Sequence, residues 1–190
     1  MVARKTKGGL GYGFDIMPLT LDHTFDKEDE VKRILKKGGK VCSRAALDEN
    51  IKTIVQGPLR VWYRCTNINS NFMGLAMTRS LGDSGAHKVG VSHEPFENSQ
   101  ELAEDDEFII LGSDGIWDVI SCEEAAAVIN DYIISLPPLQ KRTEWCPKEA
   151  ANILVARARR KWQSANHVDD ITCCIIKLTS KDGSPCFVSD

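Results

Sequence analysis

The chain has 190 residues, 42% hydrophobic and 27% charged, the size and balance of one soluble globular domain with a real core. Its 24 Lys and Arg against 27 Asp and Glu leave a net charge of -3, which excludes a global field directed at nucleic acid or an anionic membrane. No apolar run approaches the length of a bilayer span, and Met1-Val-Ala-Arg-Lys-Thr-Lys-Gly-Gly lacks the apolar core of a signal peptide. Intracellular residence, cytoplasmic or nuclear, is the expectation. Seven cysteines without a C-x-x-C pair argue against a disulfide framework or a zinc site and read as reduced thiols.

Residues 1–13 are basic and glycine-rich and read as a leader. Phe14-Asp-Ile-Met-Pro-Leu-Thr-Leu21 has the apolar density of a strand, and Pro18 implies an edge position or a bend. Asp26 is placed to cap a helix over 27–37, with Val31, Ile34 and Leu35 on one face and Gly38-Gly39 as the stop. Between residues 40 and 73 periodicity is weak, and the stretch reads mostly as loop, so that 22–73 as a whole resembles a flap. A short buried run, Gly74-Leu-Ala-Met-Thr78, follows.

The segment Asp106-Glu-Phe-Ile-Ile-Leu-Gly-Ser-Asp-Gly-Ile-Trp-Asp118 is an apolar strand that delivers a carboxylate, Asp114, into a Ser-Asp-Gly turn. Ser121-Cys-Glu-Glu124 is a capping box that opens a helix with Val128, Ile129, Tyr132 and Ile133 inward, ended by Pro137-Pro138. A further helix begins near Pro147 and carries Ala151, Leu154, Val155, Ala158 and Trp162 at helical spacing. Its Arg157-Ala-Arg-Arg-Lys161 run reads as a solvated face rather than a phosphate site. The last strand spans 171–178, preceded by Asp169 and Asp170, and 179–190 reads as a loose tail. Strands and helices come in blocks without a steady βαβ rhythm, which favours an α+β fold.

Two strand ends that carry carboxylates, Asp114 and Asp169, can bring oxygen ligands to one sheet edge, as a hard divalent cation requires. Capping of the turns by short polar side chains is the bland alternative for both. Asp118 reads as a residue that caps or positions its turn, with ligation as the alternative. Arg79 and Asp83 are candidates for an ion pair that ties a loop to the core. The four histidines, His23, His87, His93 and His167, show no metal-ligand spacing.

Gly74-Leu-Ala-Met-Thr-Arg-Ser-Leu-Gly-Asp83, Phe108-Ile-Ile-Leu-Gly-Ser-Asp-Gly-Ile-Trp-Asp-Val119 and Asp169-Asp-Ile-Thr172 occur in that order. Together they resemble the C-terminal part of the metal-dependent protein phosphatases of type 2C, the PPM family, over about residues 14–178. The resemblance implies a four-layer αββα fold, a β-sandwich flanked by helices, present here in part with its N-terminal strands missing. It also implies hydrolysis of phosphoserine and phosphothreonine in proteins with two Mg²⁺ or Mn²⁺ ions, by a molecule that is a monomer when complete and acts on no nucleic acid or membrane. By the same resemblance Asp114 and Asp169 fall on metal-ligand positions, while Asp170 stands where the family usually has Asn. Extra charge at Asp170 either tightens a cation or faces solvent. The family's Asp-Gly-His-Gly-Gly motif does not occur in these residues, so no catalytic residue is assigned and the chain alone is expected to be inactive. Two alternatives stand beside this reading: a non-catalytic pseudophosphatase module that binds a phosphoprotein or a partner phosphatase, and a calcium-dependent interaction domain, disfavoured because no twelve-residue loop with spaced acids is present.

Overall fold

A computed structural model describes residues 1–5, 13–43, 57–63, 73–137, 145–167 and 169–178. The expected tail over 179–190 lies outside the described residues, as do Cys65 and Cys186. The chain divides into two compact units, one made of Met1–Thr20 with Asn98–Asp190 and the other of Leu21–Glu97.

The first unit is built on a four-stranded antiparallel sheet of β1 (Val2–Lys5), β2 (Phe14–Met17), β6 (Asp106–Gly112) and β7 (Cys173–Lys177), in the order β2-β1-β6-β7. Residues 2–5 therefore form an interior strand, which corrects the expectation of a leader at that point. The reason is local: Val2 and Ala3 are fully buried, and Arg4 donates from Nε to Oδ1 of buried Asp106 at 2.8 Å. The basic composition that argued for a leader conceals a strand whose charge is answered across the sheet. Strand β2 ends before Pro18 and occupies an edge, where a missing N–H costs nothing.

One face of this sheet, carrying Ala3, Phe108, Ile110 and Ile175, packs against α4 (Cys122–Ser135) and α5 (Pro147–Ser164). Phe108 sits at the centre, edge-on to Phe14 at 4.9 Å and to Trp145 at 5.9 Å between ring centroids. Ser121 accepts from the Glu124 N–H at 3.1 Å, so half of the expected capping box forms. The Glu124 carboxylate instead receives Arg157 and Lys161 from α5, which pins the two helices together. The Arg157 to Lys161 run is thus a solvated face with a structural duty. Cys173 packs against the core, and its burial, with the neighbouring Cys174, pushes its thiol up to about 11, while Cys174 is exposed. None of the five described cysteines is in a disulfide.

The second unit holds a three-stranded antiparallel sheet in the order β3-β4-β5, from β3 (Lys40–Cys42), β4 (Arg60–Tyr63) and β5 (Met73–Leu75). Two strands therefore lie inside the stretch expected to be mostly loop, each too short to display an alternation of period two. Helix α1 (Glu28–Lys36) starts one residue later than expected, with Lys27 and not Asp26 at the cap. Asp26 is engaged by Thr24 and Lys27 instead. Ile34 is fully buried beside Val61, Tyr63, Ala86 and Val91, whereas Leu35, expected inward, is 55% exposed. Gly38 ends the helix at φ +81°, a conformation that favours glycine. The short helix α2 (Ser84–His87) completes the unit. No helix among the described residues is long and apolar enough to cross a membrane.

Candidate metal-binding turns

The antiparallel pairing of β6 with β7 runs in register from Phe108 opposite Lys177 to Gly112 opposite Cys173. The chain leaves β6 through Ser113 into Asp114 and enters β7 from Asp169-Asp170 through Ile171 and Thr172, so both acidic turns lie at the same end of the sheet. Asp114 opens the single-turn helix α3 (Asp114–Trp117), which the apolar spacing did not reveal because four residues are too few to show a period.

The two turns are joined by backbone and hydroxyl. Ser113 N–H donates to the Thr172 carbonyl at 3.0 Å, Ser113 Oγ donates to the Asp170 carbonyl at 3.0 Å, and the same Oγ accepts from the Thr172 N–H at 3.1 Å. Gly115 is the point of closest approach: a Cβ there would meet the Asp170 carbonyl oxygen at 2.3 Å. Only glycine fits. Trp162 of α5 donates its indole N–H to the Gly115 carbonyl at 2.8 Å, and Trp117 donates its indole N–H to the Gly112 carbonyl at 2.9 Å. Neither Ser113 nor Trp162 was singled out from the sequence for a role at these turns, although Ser113 stands beside Asp114 in the motif and Trp162 closes the apolar stripe of α5.

Asp114 and Asp169 each accept one bond from the next backbone N–H, Gly115 at 3.0 Å and Asp170 at 2.8 Å. Among the described residues no cationic side chain bridges to either. Asp114 and Asp170 are exposed and Asp169 is half-buried. Asp170 is engaged through its backbone, which serves Asp169 and Ser113, and its side chain reaches solvent. Asp118 follows α3, with its N–H on the Asp114 carbonyl at 2.9 Å, and the cap of α4 is Ser121. His167 is exposed, its ring 5.2 Å from that of Trp162.

The donor chemistry suits a hard divalent cation, since carboxylate oxygens on braced strand ends match its preference. No group of three or more His, Cys, Asp or Glu side chains gathers among the described residues. Asp114 and Asp169 therefore fit as part of a metal centre and fall short of a full octahedral set.

In the second unit the expected pair between Arg79 and Asp83 is replaced by another. Buried Glu30 takes Arg33 at 2.7 Å, Arg79 at 2.6 Å and the Thr78 hydroxyl at 2.7 Å. Arg33 foremost, helped by Arg79 and Thr78 and opposed by burial, holds the Glu30 carboxyl far below the usual carboxylate range. Asp83 sits at φ +36°, where its carbonyl receives the Ala86 N–H at 2.8 Å.

Comparison with known proteins bears on the family and the fold. The family described as protein phosphatase 2C matches residues 4–166. "Probable protein phosphatase 2C 12" of Oryza sativa subsp. japonica is 31% identical over 91% of the chain and 39% of its own length. "Probable protein phosphatase 2C 64" of the same plant is 33% identical over 95% of the chain and 36% of its own length. The crystal structure of serine-threonine phosphatase 2C from Toxoplasma gondii superposes with a TM-score of 0.65 at 24% identity, over 93% of this chain and 50% of that one, and shares its fold. The chain thus spans two fifths or less of these plant relatives and half of the solved structure. Its α+β architecture is a partial PPM-type fold, and the chain belongs to the protein phosphatase 2C family.

Proposed function

We propose that this chain carries part of the dimetal centre of a metal-dependent protein phosphatase that acts on phosphoserine and phosphothreonine in proteins. The observation that carries the reading is the pair of carboxylates, Asp114 and Asp169, on two turns cross-linked through Ser113 and free of cationic partners among the described residues. Family membership supplies the reaction class. The protein is proposed to work inside the cell, as a monomer, without nucleic acid or membrane as partner.

Asp114 and Asp169 would hold Mg²⁺ or Mn²⁺. A bound pair of such ions supplies an activated water and neutralises charge on the phosphoryl oxygens. The chain's own contribution is positional. The strand ends fix the backbone of both aspartates, each following N–H fixes one carboxylate oxygen, and Trp162 keeps the first turn from rotating away.

By themselves these 190 residues are proposed to bind metal weakly and turn over little, because two carboxylates cannot complete two octahedral shells and the Asp-Gly-His-Gly-Gly motif is absent from them. The test is Mn²⁺-dependent hydrolysis of a phosphothreonine peptide by the purified chain and by its Asp114→Ala variant. Turnover at about 1 per second or more, a common enzymatic rate, would overturn the proposed incompleteness. The phosphatase reading also requires an in-frame Asp-Gly-His-Gly-Gly motif upstream in the native transcript. A transcript that starts at Met1 without such coding sequence would favour the pseudophosphatase module, which the two-carboxylate donor set also accommodates.

A further inference from the structure

We infer that Ser113 is a positioning residue, whose hydroxyl sets the separation of Asp114 and Asp169 for a divalent cation; this rests on the metal-site reading above. Ser113 occupies the N-cap of α3, where a serine ordinarily spends its oxygen on the second or third N–H of the helix. Here it makes no such bond. Its Oγ reaches across to the other turn and engages both the Asp170 carbonyl and the Thr172 N–H. Past the last ladder pair, Gly112 opposite Cys173, one backbone bond follows, from the Ser113 N–H to the Thr172 carbonyl, and the hydroxyl adds to it. The hydroxyl is thus a cross-link placed immediately before Asp114 on one side and immediately after Asp169 on the other.

The geometry leaves little slack elsewhere. Gly115 stands in backbone contact with Asp170, and Trp162 anchors the Gly115 carbonyl from α5. Thus the first turn is held at both ends, by Ser113 and by Gly115, while Asp114 projects from between them. The second turn has its own carboxylate bond, from the Asp170 N–H to Asp169 Oδ1. Its tie to the first turn consists of the Ser113 bonds and the Gly115 contact. Loss of the hydroxyl leaves two groups of the second turn, the Asp170 carbonyl and the Thr172 N–H, without that partner. Water can take them up at this exposed end, so the expected cost falls on the spacing of the carboxylates more than on folding.

The experiment measures Mn²⁺ affinity of the intact 190-residue chain by electron paramagnetic resonance of free Mn²⁺, alongside apo Tm. Ser113→Ala is expected to weaken binding about tenfold, as loss of a group that orients metal ligands does, with little change in apo Tm. Ser113→Thr, which keeps the hydroxyl on an extended backbone, is expected to bind like the wild type. Should Ser113→Ala not fold, Ser113→Cys, with its weaker donor, replaces it and is expected to show a smaller loss that Ser113→Thr does not show. Wild-type affinity in Ser113→Ala or its Cys replacement, with binding abolished by Asp114→Ala, overturns this inference and leaves the metal site standing. Equal Mn²⁺ binding by wild type and Asp114→Ala takes down both.

Discussion

Two carboxylate sites in this molecule use the same functional group to opposite ends. In the second unit, Glu30 is 6% exposed and saturated by Arg33, Arg79 and Thr78. In the first unit, Asp114 and Asp169 bond the next backbone N–H and have no cationic partner among the described residues. A buried carboxylate must be paired because desolvation of an isolated charge is prohibitive. A carboxylate that water reaches tolerates solvation, so exposed Asp114 and half-buried Asp169 need no cationic partner to persist. Saturation makes Glu30 a structural carboxylate, whereas the two turns carry the proposed metal ligands.

The largest expected effect falls on the saturated carboxylate. Glu30→Ala leaves Arg33 and Arg79 without their acid and is expected to destabilise the fold by about 3 kcal/mol, read by denaturant unfolding, with exchange protection lost first in residues 21–97. Mn²⁺ binding at the other unit serves as the control. If Glu30→Ala cost no more stability than a surface substitution, the distinction between the two sites would collapse.

The same residue predicts a pH dependence with a definite sign. The Glu30 pKa is lowered on folding from its ordinary 4.5, so its contribution is fully present above that value. It is lost as pH falls below 4.5 towards the folded pKa. Wild type should therefore lose its stability advantage over Glu30→Gln progressively on acidification, measured as the difference in urea midpoint. A constant difference across that range would show that the charge on Glu30 is not what the arginines recognise. Asp106, lowered chiefly by Arg4, gives the stability of both proteins a dependence of the same sign, which cancels in that difference.

A change in the packing between the turns sharpens the comparison from the other side. Gly115→Ala sets a Cβ 2.3 Å from the Asp170 carbonyl oxygen and forces the acidic turns apart. The expected cost is about 1–3 kcal/mol, typical of overpacking, together with weaker Mn²⁺ binding. Ser121→Ala removes the α4 cap in the same unit and is expected to cost about 1 kcal/mol with Mn²⁺ affinity unchanged. Thermal unfolding and metal titration on the two variants distinguish damage to the site from damage to the unit that carries it.

Much of this was legible in the sequence, and the gaps have physical causes. The long helix from Pro147 and the strand ending in Gly112 announce themselves because many residues repeat one periodicity. The placement of Asp114 and Asp169 at one end of the sheet was readable because each lies just beyond an apolar strand. The strands of three or four residues at 40–42 and 60–63 were not, since their stability comes from cross-strand neighbours such as Trp62 opposite Gly74 rather than from local pattern. Val2 to Lys5 was mistaken for a leader because its arginine looks solvated until Asp106, 102 residues away, is placed beside it. The partner of Arg79 was misread for the same reason: Asp83 is near in sequence, and Glu30 is near in space. Ser113 was visible only as a motif letter, because its function lies in a bond to another turn.

The most direct test is calorimetric titration of Mn²⁺ into the 190-residue chain and its Asp114→Ala and Asp169→Ala variants, with apo stability measured in parallel. Weak binding by the wild type, abolished in both variants while stability stays within about 0.5 kcal/mol, is the predicted result. Undiminished Mn²⁺ binding in the variants, or a loss of stability comparable to that of Glu30→Ala, would contradict the assignment of these two turns as a metal site.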